Sequence, residues 1–131
     1  MKRFNNVFLA VALCAVALPA LSADFDGSKP LICAAIEAND CALGADCQKG
    51  LAENLNMPQF IRLDFTKKTM GAGGRSSPIQ HQVREGGMLV MQGFENYRAW
   101  SITINETSGK LVGAIAGDQE GFLIFGACTT L

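Results

Sequence analysis

AWSITINETSGKLVGAIAGDQEGFLIFGACTTL, residues Ala99–Leu131, is the stretch whose reading decides the fold class. Trp100, Ile102 and Ile104 alternate with Ser101, Thr103 and Asn105, the period of two that marks a half-buried strand. Two turn clusters, Glu106–Lys110 and Gly117–Gly121, divide the stretch into three strand-like runs. The last run, Phe122–Ala127, is apolar on both faces and reads as a strand in the middle of a core.

The same grammar extends upstream. Ile61, Leu63 and Phe65 alternate with Arg62 and Asp64, and Thr66-Lys67-Lys68-Thr69 reads as a tight turn into a short return strand at Met70. Gly71–Pro78 reads as a flexible loop by composition. Ile79, His81 and Val83 share a face expected to be inward. Gly86-Gly87 is a two-residue hairpin turn, because both positions need a positive φ that glycine adopts without steric cost. Met88–Gln92 returns, and Gly93–Arg98 links it to the Trp100 strand. Leu31–Ala38 is helix or strand; placing Cys33 beside Cys128 favours strand. Gln48–Leu55 has room for a helical turn, and Asp24–Pro30 is a loose lead. The result is an all-β chain: an antiparallel meander of about eight strands, closing into a small barrel that removes its edges. A two-sheet sandwich is the alternative.

The compartment is legible at the start. Lys2 and Arg3 precede the uncharged apolar run Val7–Leu18, Pro19 breaks it, and Ala20, Ser22 and Ala23 are small: residues 1–23 read as a signal peptide. Cys14 falls inside it, and the run is too short for a bilayer span. Cleavage leaves 108 of the 131 residues, one domain over 24–131. That domain carries nine basic and twelve acidic residues, with no basic stripe to suit nucleic acid. A periplasmic or secreted location follows, with no membrane span after cleavage. Four cysteines remain, Cys33, Cys41, Cys47 and Cys128, and in an exported domain they read as two disulfides. Three pairings are open; the short link Leu43–Asp46 favours Cys41 with Cys47, leaving Cys33 with Cys128 to join first strand to last. Their spacings do not resemble paired zinc knuckles.

Candidate chemistry is sparse. His81 is the only histidine, either a buried functional imidazole or a wet residue at a strand start. Gly71–Arg75 imitates a phosphate loop but leads into a strand, not a helix N-terminus. Glu37, Asp40 and Asp46 lack the oxygen pattern of a calcium loop. No catalytic, cofactor or metal residues are assigned. Phe94, Tyr97 and Arg98 put two aromatics and an arginine into one connection, residue types enriched at contact hot spots.

Pro58–Phe65, Tyr97–Ser101, Thr107–Lys110, Gly121–Cys128 and the Cys41/Cys47 pair together resemble a group of small exported proteins of Gram-negative bacteria. That likeness spans nearly the whole mature chain and brings no activity or site residues with it. The general plan is also similar to the small periplasmic barrels that inhibit lysozyme, although their short Ser- and Gly-rich loop followed by tyrosine is not recognisable here. These readings point to a non-enzymatic β-barrel that binds a macromolecule, an unknown protein or envelope component, at a loop-bearing end. A carrier of a small apolar ligand is the alternative, and an enzyme without a recognisable motif comes third.

Trp100 begins the most regular strand on its apolar face. Trp100→Ala is expected to cost about 3–5 kcal/mol in thermal unfolding, and Tyr97→Ala under about 1 kcal/mol.

Overall fold

The computed structural model describes residues 24–131. The signal peptide expected over 1–23, with Cys14, lies outside the described residues. Ten antiparallel strands follow in chain order: β1 Leu31–Ala42, β2 Gln48–Leu51, β3 Phe60–Asp64, β4 Thr69–Ala72, β5 Arg75–Pro78, β6 His81–Glu85, β7 Met88–Glu95, β8 Arg98–Asn105, β9 Lys110–Ala116 and β10 Glu120–Thr130. A 3-10 helix, Ala52–Leu55, is the only helical segment among the described residues.

All strands belong to one sheet, ordered β5-β4-β3-β1-β10-β9-β8-β7-β6, which curls into a half-barrel. The first and last strands pair along their whole length, Leu31 opposite Thr130 and Ala42 opposite Glu120. Along its other edge β1 is shared: Leu31–Ala34 pair with β3 and Glu37–Asp40 with β2. A bulge between Ala35 and Glu37 separates the two halves. It brings the Ala34 carbonyl so close to Gly126 that a Cβ there would sit 2.1 Å from its oxygen. The ladder is interrupted between β5 and β6, which are consecutive in the chain.

The disulfides pair Cys33 with Cys128, directly opposite on β1 and β10, and Cys41 with Cys47 across the β1–β2 turn. Both fit an oxidising compartment. Leu31, Cys33, Ile61, Leu63, Leu89, Met91, Trp100, Ile102, Ile104 and Leu111 fill the concave face. β3, β7, β8 and β9 alternate as the period of two requires, and β1 does so up to its bulge.

Several sequence expectations need correction. The strands number ten and not eight, because Gln48–Leu51, read as the start of a helical turn, is a strand paired with β1, and because Gly71–Pro78 is a hairpin, not a loop: Gly73 and Gly74 take φ of 57° and 76° and fold β4 onto β5. Gly93–Arg98 is likewise no link; β7 runs to Glu95 and turns through Asn96-Tyr97 straight into β8. The face holding His81 and Val83 is not inward. β6 is an edge strand, exposed throughout, and only Ile79 before it is buried. Phe122–Ala127 lies mid-sheet but is not covered twice: Ile124 faces the core, while Leu123 and Phe125 stay partly exposed on the convex face. No second layer covers that face among the described residues. Asp24–Pro30 is not loose either, since Phe25 packs on the core.

Two glycines on the concave face make opposite demands. A Cβ at Gly93 would stand 2.3 Å from the Trp100 ring and 2.6 Å from the Pro78 carbonyl oxygen, whereas one at Gly113 would meet nothing closer than 3.6 Å. Gly93→Ala should therefore destabilise by about 2–3 kcal/mol through overpacking. Gly113→Ala should change stability by less than about 1 kcal/mol. Thermal unfolding of the two variants side by side checks this.

Candidate functional site

Two transverse rows of side chains build one end of the half-barrel. Phe122, Ile115, Trp100 and Gly93 are successive cross-strand neighbours on β10, β9, β8 and β7. One row further in stand Ile124, Gly113, Ile102 and Met91. Gly93 has no side chain, so the Trp100 indole lies flat over the β7 backbone and reaches across the curl. There its Nε1–H donates to Ser77 Oγ on β5 at 2.9 Å. Ser77 is 1% exposed and Trp100 6%, so the polar tip of the indole is satisfied inside the core.

Gly113 acts in the other sense. With no side chain between Ile102 and Ile124, the concave face is left unfilled, and a cavity of about 220 Å³ opens at this end. Trp100, Ile102, Ile115, Phe122 and Ile124 wall it on one side, with Ile61, Met70 and Ala72 facing them. Leu55, Met57 and Pro58, from the 3-10 helix and the link to β3, close its flank. Arg75, Glu95, Asn96 and Arg98 form a polar rim carried on hairpin tips. The Arg98 guanidinium is ion-paired with Glu120 and lies 5.8 Å from the centre of the Phe122 ring, which holds it across the lip. Arg75 and Glu95 have no ion-pair partner among the described residues.

The opposite end is plugged. Phe25 packs there, its N–H donating to the Glu106 carbonyl oxygen at 3.3 Å. Its ring lies so near Gly109, φ 67°, that a Cβ would stand 2.6 Å from it. Arg84 clamps the plug with a bidentate contact to Glu106, Nε–Oε1 2.5 Å and Nη2–Oε2 3.2 Å, and its Nη1 stands 4.0 Å from Asp26 Oδ2. The hydrogen bonds from Arg84 hold the Glu106 carboxyl below its ordinary value, against the desolvation that would raise it. Hydrogen bonds from Ser28 hold Asp26 below its own. Glu106 correspondingly raises Arg84.

Of the three residues singled out for contact, only Arg98 lines the mouth. Tyr97 stands at the hairpin tip with 92% of its surface exposed. Phe94 is half exposed on the convex face, opposite Ala99. His81 is exposed on the edge strand and is not part of the cavity. Glu37 pairs with Lys49 at 3.1 Å, and among the described residues no group of His, Cys, Asp and Glu is placed to hold a metal. Sequence reasoning missed Gly113 and the Leu55–Pro58 flank. A glycine inside an alternating strand was the available signal for the first; the flank contributes isolated residues and has no period to detect.

Comparison with protein-family models, with curated proteins and with solved structures finds no match.

The plug gives stability a defined acid limb. Both carboxyls are depressed in the fold, so their contribution is complete above the ordinary values of 4.5 for Glu106 and 3.8 for Asp26, and is lost as pH falls through the lower folded values. The melting temperature should hold from neutral pH to about pH 5 and drop below it. Glu106→Gln should lower the plateau and flatten the drop, as read by calorimetry across a pH series.

Proposed function

We propose that this protein is an exported, non-enzymatic binding module that engages a macromolecular partner at its open end and takes one apolar side chain of that partner into the cavity over Trp100. The cavity itself carries the reading. At about 220 Å³ it is smaller than the roughly 300–1,000 Å³ of small-molecule sites, yet larger than the roughly 150 Å³ that suffices for benzene. That is the size of a single ring or a short aliphatic chain. An apolar pocket inside a polar rim is also how anchor positions on contact surfaces are built.

The periplasmic or secreted location belongs to the same proposal, supported by the disulfides and the leader-like run Val7–Leu18. So does the likeness to small exported Gram-negative proteins. Closure into a full barrel is part of it too. The two residues joining β5 to β6 reach both sheet edges, with Ile79 N–H donating to the Lys68 carbonyl oxygen at 2.8 Å and Gln80 N–H to that of Gln92 at 2.9 Å. These bonds tie the joint to both arms of the sheet and support that reading.

The second reading, a carrier of a small apolar ligand, is favoured by the apolar lining and by the Phe25 plug, which leaves a single-mouthed cup. Two measurements separate the readings. Titration with N-acetyl-phenylalaninamide should shift the NMR signals of the Trp100 indole and Gly113 amide with a millimolar dissociation constant. N-acetyl-aspartamide should leave them unmoved, and Gly113→Leu should weaken the phenylalanine derivative at least ten-fold. Failure of every apolar amide to bind removes the cavity as the site. Native mass spectrometry of protein from the exporting cell should show the bare polypeptide; a retained small apolar molecule transfers the function to the carrier reading.

A further inference from the structure

Three two-residue turns in this chain share one backbone geometry, with both residues at positive φ. Gly73-Gly74 takes 57° and 76°, Gly86-Gly87 takes 60° and 77°, and Asn96-Tyr97 takes 48° and 61°. Glycine suits both positions and asparagine the first, which is why such hairpins are dominated by these residues. Tyrosine at the second is a steric burden, because its Cβ crowds the following carbonyl in left-handed backbone. A strained residue persists in a native structure when its side chain returns something, and strain of this kind gathers at functional sites. Here the fold returns nothing: the Tyr97 side chain is 92% exposed and makes no hydrogen bond with the described residues. Its neighbours Asn96 and Arg98 line the cavity, but Tyr97 stands outside it.

We infer that Tyr97 is the second anchor of the binding surface, contacting a protein chain that fills the cavity with one side chain and continues across the β7–β8 tip. The inference rests on the cavity reading above and names the partner's class. A molecule confined to about 220 Å³ fills the cavity without reaching Tyr97, so a residue retained there answers to something longer. The rim fits an extended peptide segment with charged residues of both signs, since Arg75 and Glu95 offer one unpaired charge of each kind at the mouth. Tyrosine is a hot-spot residue because it contributes a large rigid contact area at little entropic cost.

The test measures two quantities that move in opposite directions. The probes are N-acetyl-phenylalaninamide and the tightest binder from a library of acetylated heptapeptides with a central phenylalanine and randomised flanks. Tyr97→Gly should raise the melting temperature by roughly 3–6 °C, since the turn is relieved. It should weaken the heptapeptide at least ten-fold and leave the single amide within two-fold. Tyr97→Phe should keep the heptapeptide within about three-fold, because the ring supplies the contact. Unchanged heptapeptide affinity in Tyr97→Gly overturns the inference while the cavity reading stands. So does a library in which no heptapeptide exceeds the single amide, and a fall in melting temperature removes the premise of strain. Absence of amide binding to the wild-type protein defeats the cavity reading itself, which is a separate result.

Discussion

One indole links the two arms of the sheet through the interior. Trp100 belongs to β8 on one arm, and its hydrogen bond goes to Ser77 in β5 on the other, through the interior and not along any ladder. The bond exists because Gly93 leaves the ring room to lie over β7, and because a hydroxyl as buried as that of Ser77 requires a partner inside the core. Without it the half-barrel would lack its internal strut at the end where the ladder is interrupted. The same ring then serves as part of the wall of the cavity. Core packing and cavity lining therefore meet in one side chain carried on a rigid strand.

The two ends of the curl are finished in different ways. At one, Phe25 and the Arg84–Glu106 clamp fill and tie the opening. At the other, a glycine in the middle of β9 leaves the interior unfilled, and hairpin tips bearing charge surround the gap. Proteins normally pack their interiors to crystal density, so an unfilled apolar volume open to solvent is a feature to be explained. The molecule is thus polar in the sense of having a filled end and an open one, and the disulfide between Cys33 and Cys128 fixes the strand pair that runs between them.

Much of the architecture was legible because alternation along a strand is a local property. Trp100, Ile102 and Ile104 declare their face in sequence, and they are buried as that pattern requires. The Gly86-Gly87 turn was equally plain, since only backbone stereochemistry is involved. Glycine-rich Gly71–Pro78 misled because composition alone cannot distinguish a flexible loop from a hairpin whose turn happens to be glycine. His81 and Val83 misled for another reason: they alternate correctly, but alternation does not say whether a strand lies at an edge with nothing to cover it. The cavity could not be read at all. It depends on a missing side chain at Gly113 facing Met70 and Ala72, from strands far away in sequence, and such juxtaposition is a property of the assembled sheet.

The two bridges differ in a way that matters chemically. Cys33 is wholly buried between β1 and β10, whereas Cys47 sits exposed beside the β1–β2 turn. Thiolate attack on a disulfide needs an approach to sulfur, so a reductant or an isomerase meets the Cys41–Cys47 clip first. That clip closes the hairpin that leads into the 3-10 helix, whose Leu55, with Met57 and Pro58 after it, flanks the cavity. The accessible ring and the cavity flank thus lie on one short stretch of chain, while the Cys33–Cys128 bridge ties first strand to last.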